Sequence, residues 1–392
     1  MEHIHSGGVL NIFRTTNTDY VGYHWVLWLL TLVYEVMGGP YNSSTLSLHL
    51  LVKVPSIIFD VILILTVHWA TATLLRLEGR QAPAVVRWAP LAAAAVVAFQ
   101  PAVLYDSAVW AQTDSAITAA MLAAIVLAAS GRSCGAGVAL ALGLAVKTAS
   151  HHHRADRRSA AVEKRWVNGI LRAGGGGLAV AVVVLGPWIL HGEAGQIIGV
   201  YKFLFTEHRE RLSELAWNIW WVFDYRGDPR PETEIVGGIP IAFQRAGLLL
   251  GMLAAALATA YAWRRPGLRS ALIAAAYIAL AFYELPVGSH ERYLYPLLGL
   301  LLPVIVVVRD WRWRSVYIAL STTLFLNLVV VAPPVPQWMD RWVYAEFGVF
   351  VSLINTGLLI ACTAMLAAGL FRPGSSEPAS GERSETVPLG AT

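Results

Sequence analysis

Residues 289 to 308 join a polar cluster to a strongly apolar run: Ser289-His290-Glu291-Arg292-Tyr293-Leu294-Tyr295-Pro296, followed by LLGLLLPVIVVV. The run is apolar enough to enter a lipid bilayer. Ionisable side chains are costly at the edge of a bilayer, so a cluster of them there is more typical of a functional site than of chance. The stretch therefore predicts a membrane helix with a site at one end.

The rest of the chain has the same character, since 56% of its 392 residues are hydrophobic, only 14% are charged, and the mean hydropathy is +0.56. This composition excludes an ordinary soluble domain. A membrane span needs about 20 mostly apolar residues, and eleven stretches approach that length: 22–39, 54–75, 89–105, 115–130, 134–149, 174–191, 243–263, 269–286, 293–308, 316–332 and 347–370. The sequence predicts an all-α polytopic transmembrane bundle of about 10 to 11 membrane segments. It forms one domain over residues 1–371, followed by a disordered tail, 372–392.

Basic residues between the stretches indicate the orientation, because short cytoplasmic loops of membrane proteins collect Lys and Arg. The net charge of +4 is therefore not a nucleic-acid signal. The loops predicted to be cytoplasmic carry Arg76, Arg80 and Arg87, then Arg264, Arg265 and Arg269, then Arg309, Arg312 and Arg314. The polar loops, including the large loop 192–240, then lie on the extracytoplasmic side of a plasma membrane.

One region interrupts this alternation. Arg132 and the basic loop 150–172 both favour the cytoplasm, with a single apolar stretch, 134–149, between them. Either that stretch is a re-entrant half-helix or a span is missing, and Lys147 would then lie at depth near the cavity. Three consecutive histidines, 151–153, rarely supply metal ligands on a solvated basic loop, so a solvated charge run is favoured there.

Another polar cluster, which comes first along the chain and is called the first cluster, separates two apolar stretches: Tyr105-Asp106-Ser107-Ala108-Val109-Trp110-Ala111-Gln112-Thr113-Asp114. Asp114 suits capping of the next helix, binding of a sugar hydroxyl, or general-base work. In the cluster at residues 289–296, called the second cluster, His290 and Arg292 offer donors suited to a phosphate or pyrophosphate. Glu291 is their structural partner or a base.

The large loop 192–240 has an apolar first half interrupted by Lys202, and its second half holds three tryptophans, Trp217, Trp220 and Trp221. A single Trp in such a place is typical of anchoring at the membrane interface. The length, aromatic density and charge of the whole loop favour a surface that binds substrate.

Three of these motifs together resemble the multi-spanning GT-C glycosyltransferases, the bacterial mannosyltransferase-like members in particular: Trp110-Ala111-Gln112-Thr113-Asp114, His290-Glu291-Arg292-Tyr293-Leu294-Tyr295-Pro296, and Lys53-Val54-Pro55 opening a span. The resemblance covers residues 19 to 331 approximately. It implies transfer of a hexose such as mannose, with inversion, from a polyprenyl-phosphate donor to a lipid or glycan acceptor on the extracytoplasmic side. It firmly implies no cofactor, although a divalent cation is an option.

Site residues follow from the motifs and the resemblance together. The candidate catalytic residues are Asp114, Asp106, His290 and Glu291. The candidate substrate-binding residues are Trp110, Gln112, Arg292, Tyr293, Lys202, Trp217, Trp220, Trp221 and Lys147.

The chain departs from the family pattern in two places. It opens on a segment, residues 17–25, that resembles the region just after the first loop of relatives, so the first helix and its acidic loop are expected to be lacking, with Asp19 as a substitute acid. The basic run after Thr148 stands where relatives continue with apolar residues. A catalytically silent, truncated relative that still binds polyprenyl-phosphate lipid is therefore an alternative function. A lipid or solute transporter is a further alternative, ranked below it because the cytoplasmic loops carry no polar cluster to match the outer one.

Overall fold

The computed structural model describes residues 1–15, 21–38, 41, 45–79, 82–146, 160–206, 211–224, 242–308, 310–331 and 343–371. Nearly all of this part is helical. The helices are α1 (Glu2–Gly7), α2 (Ile12–Thr15), α3 (Tyr23–Met37), α4 (Leu46–Leu77), α5 (Pro83–Ala98), α6 (Pro101–Leu104), α7 (Asp114–Ala129), α8 (Ser133–Val146), α9 (Ala160–Leu190), α10 (Ala194–Thr206), α11 (Trp221–Asp224), α12 (Phe243–Arg264), α13 (Leu268–Glu284), α14 (Pro296–Val307), α15 (Trp311–Val331) and α16 (Gly348–Phe371). Short 3-10 and π turns cover Val9–Asn11, Tyr105–Val109 and Val343–Phe347, and two strands, β1 (Ser213–Glu214) and β2 (Ser289–His290), pair in parallel.

Each of the eleven predicted apolar stretches contains a helix, so the all-α, multi-pass membrane architecture is confirmed. Within the described ranges, five helices are long and apolar enough to cross a bilayer: α4, Val167–Leu190 of α9, α12, α15, and Ala345–Phe371 including α16. A sixth crossing results if α5 and the segment Pro101–Val109, which are bent by 47° relative to each other, form one span. The other helices are shorter, and the predicted number of 10 to 11 spans exceeds what the helix lengths show.

Helix α14 is the centre of the bundle. Ten of its twelve residues are buried, among them Leu298, Leu300 and Leu301, and it packs against α4, α5, α7, α13 and α15. A helix that is apolar on every side is stable only when it is surrounded by protein or lipid. Its length of about 18 Å is well short of a bilayer core. Its amino-terminal end, with Leu294 and Tyr295 fully buried, therefore lies inside the protein.

The opposite end of the bundle is rich in arginine, and we call it the arginine end. Three contacts tie helix ends together there: Arg269 lies 3.7 Å from Glu78, Arg265 Nε donates to the Gly369 carbonyl at 2.8 Å, and Arg314 Nε donates to the Ile305 carbonyl at 3.1 Å. The first pair joins the start of α13 to the end of α4, the second joins the ends of α12 and α16, and the third joins the start of α15 to the end of α14. Three of the arginines predicted to share one side of the membrane thus lie at a common end.

The amino-terminal helices pack on α9 and α10 rather than on α14. Trp188 of α9 is fully buried in this group and donates its indole N–H to the Val9 carbonyl at 3.0 Å. Trp25 of α3 donates likewise to the Val184 carbonyl at 3.0 Å. The described residues 1–15 and 21–37 thus form a separate packing unit with α9 and α10.

Two predicted loops are partly helical. Helix α9 begins at Ala160, so residues 160–172 of the predicted basic loop 150–172 are helix, and α10 lies within the predicted loop 192–240. The stretch at 134–149 contains the unbroken helix α8, which packs between α7 and α9. Asp19, Lys147, the three histidines and the tail 372–392 lie outside the described residues.

Candidate functional site

The first polar cluster forms a tight turn between α6 and α7. The segment Tyr105–Val109 is a single π-helical turn that buries Asp106 and Ser107. The backbone N–H of Gln112 donates to the Asp106 carbonyl, and that of Ala111 donates to the Ser107 carbonyl, both at 2.9 Å. Ala111 takes a positive φ of 60°, which is uncommon for a residue other than glycine. π turns and positive φ angles are both enriched at functional sites.

The second cluster is fixed by the strand pair. Ser289 and His290 of β2 align with Ser213 and Glu214 of β1, and Gly288 N–H donates to the Leu212 carbonyl at 2.9 Å. The following residues, 291 to 295, turn into α14. The segment 211–214 therefore acts as a support that holds the His-Glu-Arg-Tyr motif at the start of the central helix.

The two clusters meet at Arg292. Its Nη1 donates to Glu291 Oε1 at 2.9 Å, and its Nε lies 3.9 Å from Asp114 Oδ2. The guanidinium carbon lies 5.4 Å from the centre of the Trp110 ring, within cation–π range. His290 Nδ1 lies 3.9 Å from Glu291 Oε2. Motifs almost 180 residues apart in the sequence thus form one cluster.

The side chains of this cluster differ in their exposure to solvent. The carboxylates of Asp114 and Glu291 are buried, whereas 20% of the His290 side chain and 14% of the Arg292 side chain are exposed. Tyr293 packs its ring 5.2 Å from that of His290 and 5.6 Å from that of Phe282. The carboxyl groups of Asp114 and Glu291 thus form the floor of the site, and the side chains of His290 and Arg292 form its rim.

A deeper polar chain was missed by the sequence analysis. Ser115 Oγ donates to the Asp60 carboxylate and lies 2.6 Å from the Tyr295 hydroxyl. All three residues are buried, and they come from α4, α7 and the residue before α14. The signal available in the sequence was Asp60 itself, the only acidic residue in the apolar stretch 54–75. An ionisable residue inside a span is a candidate functional residue by default.

Lys53 also reaches the first cluster. Its Nζ donates to the Ala108 carbonyl at 2.6 Å, two residues before Trp110. The Lys-Val-Pro motif at the start of the second apolar stretch therefore contacts the turn that carries Asp106. It links α4 to that turn without contributing a buried charge.

The tryptophans of the large loop are packed inside the protein: Trp217, Trp220 and Trp221 are all buried. The backbone N–H of Trp217 donates to Asn327 Oδ1 at 3.1 Å, and the Trp220 indole donates to the Leu285 carbonyl at 2.7 Å. These bonds tie the loop to α15 and to the end of α13. The predicted role as a groove for sugar or lipid needs exposed rings, and the described structure instead gives these rings an anchoring role.

Of the remaining candidates, Gln112 lies in the first cluster, whereas the two lysines lie apart from the cluster or outside the described ranges. Lys202 is exposed on α10, which packs against the amino-terminal helices, and Lys147 lies outside the described residues. Gln112 is half-buried beside Asp114. Among the described residues, no group of three or more His, Cys, Asp or Glu side chains is placed to hold a metal ion.

No protein-family model matches the chain, and no curated protein matches it significantly. A functional assignment therefore depends on the motifs and on the cluster that they form.

Proposed function

We propose that this protein is an integral membrane glycosyltransferase of the GT-C type. It would transfer a hexose, with mannose as the first to test, from a polyprenyl-phosphate donor to a lipid or glycan acceptor on the extracytoplasmic side. The observation that carries the proposal is the contact between Asp114 and Arg292. It joins the Trp-Ala-Gln-Thr-Asp and His-Glu-Arg-Tyr motifs, which carry the resemblance.

Transfer of the sugar needs a group that accepts a proton from the acceptor hydroxyl and cationic groups that bind the leaving phosphate. As the bond between the sugar C1 and the donor phosphate oxygen breaks, the electron pair leaves with the polyprenyl phosphate. The acceptor hydroxyl forms the new bond to C1 and gives its proton to a carboxylate, for which Asp114 is the candidate. Arg292 and His290 would stabilise the charge of the leaving phosphate, since guanidinium and imidazolium groups bind phosphate oxygens well.

The surroundings suit a lipid substrate. Helix α4 exposes large apolar side chains along its length, among them Ile58, Val61 and Leu65, and it also carries Lys53 and Asp60 on its way past the site. A polyprenyl chain could lie against such a surface in the bilayer while its phosphate reaches the exposed edge of Arg292. The polar and apolar ends of one substrate are thereby accommodated together.

A silent relative that binds polyprenyl phosphate without transferring sugar is the second candidate. In both candidates Arg292 already contacts the carboxylates of Glu291 and Asp114 before any phosphate binds. A phosphate would then compete with Glu291 for the guanidinium. In a working enzyme, donor binding must rearrange this pair.

The test is a transfer assay with the full chain in nanodiscs, using radiolabelled polyprenyl-phosphate mannose and glucose as donors and a membrane lipid extract as the source of acceptors. We expect transfer by the wild type and its loss in Asp114→Asn and His290→Ala. Removing one essential acid–base group costs about 10²- to 10⁴-fold in rate. Equal transfer by the wild type and both variants would overturn the assigned roles. Donor binding without transfer in the wild type would identify the silent relative.

Asp310→Asn is the matched control. Asp310 lies beyond the other end of α14, and hydrogen bonds from Arg312 lower the pKa of its carboxyl; the control replaces a carboxyl group by an amide, the same chemical change as in Asp114→Asn. The asparagine oxygen can still accept the Arg312 backbone N–H that begins α15, now at 3.0 Å. We expect unchanged transfer in this variant.

A further inference from the structure

The buried chain of Asp60, Ser115 and Tyr295 has a defined hydrogen-bond direction. Each hydroxyl carries one proton. Ser115 uses its proton to bond the Asp60 carboxylate, so the Tyr295 hydroxyl must donate across the 2.6 Å contact to Ser115. The chain therefore runs from Tyr295 through Ser115 to Asp60, which ends it as an acceptor.

The chain lies directly beside the proposed active site. Ser115 follows Asp114 in α7, and Tyr295 lies three residues after Arg292. Two parallel bridges thus join the start of α7 to the segment before α14: the contact between Asp114 and Arg292, and the hydrogen bond between Ser115 and Tyr295. The second bridge continues to α4 through Asp60.

Placing a carboxylate inside an apolar membrane helix is costly, so such a residue usually has a function. On α4, Asp60 lies about 25 Å along the helix from Leu77, so it is deep in the bundle. Ser107 of the π turn also lies close to the Asp60 carboxylate, although its own hydroxyl donates to the Val103 carbonyl at 3.0 Å, so Asp60 lies beside both segments that carry the first cluster. A residue that contributed only packing at this position would be apolar.

We infer that Asp60 is a positioning residue, which sets the separation of Asp114 and Arg292 by holding Ser115 and Tyr295 in line. This inference rests on the proposed function for its catalytic consequence. The structural part of the inference, that Asp60 sets the separation of Asp114 and Arg292, does not depend on that function. A displacement of about 1 Å in a reacting geometry can cost 10²-fold in rate, so the support matters as much as the groups it supports.

The first arm of the test measures stability and needs no substrate. Asp114→Asn, Arg292→Gln and the double variant are made in the wild-type, Asp60→Ala, Asp60→Asn and Thr71→Val backgrounds, and melting temperatures are measured in detergent. Contacting residues give non-additive effects. We expect non-additivity in the wild type, in Asp60→Asn and in the Thr71→Val control, and additivity in Asp60→Ala. Equal coupling in every background, or none in the wild type, would overturn the inference.

Thr71→Val is a suitable control because Thr71 is a fully buried polar residue of the same helix. Its hydroxyl donates within its own helix, to the Val67 carbonyl at 2.8 Å. Ser115→Ala interrupts the chain at its middle and is expected to reproduce Asp60→Ala. It keeps the test decisive if Asp60→Ala fails to fold.

The second arm measures transfer. Asp60→Ala and Ser115→Ala are expected to lower kcat by about 10²-fold with KM unchanged. Asp60→Asn keeps an acceptor oxygen and is expected to restore kcat. If Asp60→Asn is as slow as Asp60→Ala, the negative charge is what matters and the positioning role is wrong. Absence of transfer by the wild type counts against the proposed function, and the first arm alone then decides the role of Asp60.

Discussion

Ala111 is a residue whose backbone conformation is unfavourable for its side chain. A positive φ at a residue other than glycine costs on the order of 1 to 3 kcal/mol, and it persists here because the turn is held by backbone bonds from Ala111 and Gln112. The strain lies between Trp110, which stacks on Arg292, and Asp114. The turn therefore maintains an unfavourable conformation where the two clusters meet.

This strain leads to a prediction for substitutions at Ala111. Glycine relieves the positive φ but adds freedom to the unfolded chain, so Ala111→Gly should change the free energy of unfolding by less than about 1 kcal/mol. A β-branched residue at this φ is a severe outlier, so Ala111→Val should lower both the melting temperature and the transfer rate. Thermal unfolding in detergent with Ala108→Val, an exposed neighbour in the same turn, as control checks this. Equal melting temperatures for Ala111→Val and the control would contradict it.

At the residue scale, the sequence identified Asp106, Asp114, Glu291 and Arg292 because they break apolar runs at loop positions. It did not single out Asp60, since one acid inside a span gives no indication of which other helix supplies its partners. Ser115 and Tyr295 look unremarkable in the sequence, as a helix-start serine and a tyrosine before a proline. Only the packing of α4, α7 and α14 brings them together.

At the scale of elements, the contact between α7 and α14 depends on Gly299. A Cβ added there would lie 2.5 Å from the Thr118 methyl group and 3.1 Å from a methyl group of Leu63. Thr118 is four residues along α7 from Asp114, and Leu63 lies one turn from Asp60. A side chain at position 299 would therefore push apart the three helices that carry the polar chain.

We predict that Gly299→Ala destabilises the protein by about 1 to 3 kcal/mol, the usual cost of overpacking a core. We also expect it to lower the transfer rate by more than the loss of folded protein explains. Gly251→Ala on α12 is the matched control, because a Cβ there meets nothing within 4 Å and alanine favours the helix. The melting temperatures and transfer rates of both variants are compared with the wild type. A Gly299→Ala protein as stable as the control would show that α14 is not closely packed against α7.

Element lengths were harder to predict than element positions. Apolar runs locate helices well, because an apolar residue is favourable both in lipid and in a protein core. The same fact hides the difference between α4, which has one face in lipid, and α14, which is surrounded by other helices. The tryptophans posed a similar ambiguity. A tryptophan that anchors the loop by bonding the Leu285 carbonyl and a tryptophan that binds substrate look the same in the sequence.

At the scale of the whole molecule, the charges separate along the bundle. The arginine end of the bundle contains the ends of α4, α12, α14 and α16 and the starts of α13 and α15. The polar cluster lies at the other ends of α4, α13 and α14. Helix α4 has 32 residues and is about 48 Å long, so it extends past a hydrocarbon core of about 30 Å. Its two ends therefore report the two sides of the membrane.

The asymmetry predicts the orientation, since arginine-rich ends remain in the cytoplasm. Leu46 and Leu77, which lie at opposite ends of α4, are 70% and 58% exposed, so cysteines there are open to reagents. In a Cys134→Ser background, which removes the exposed native thiol and leaves the buried Cys362, a membrane-impermeant maleimide should label Leu46→Cys in intact cells. It should label Leu77→Cys only after the membrane is permeabilised. The reverse pattern would place the polar cluster on the cytoplasmic side and would exclude an extracytoplasmic transfer reaction. The expected pattern places Asp114 and Arg292 where a translocated polyprenyl-phosphate sugar can reach them.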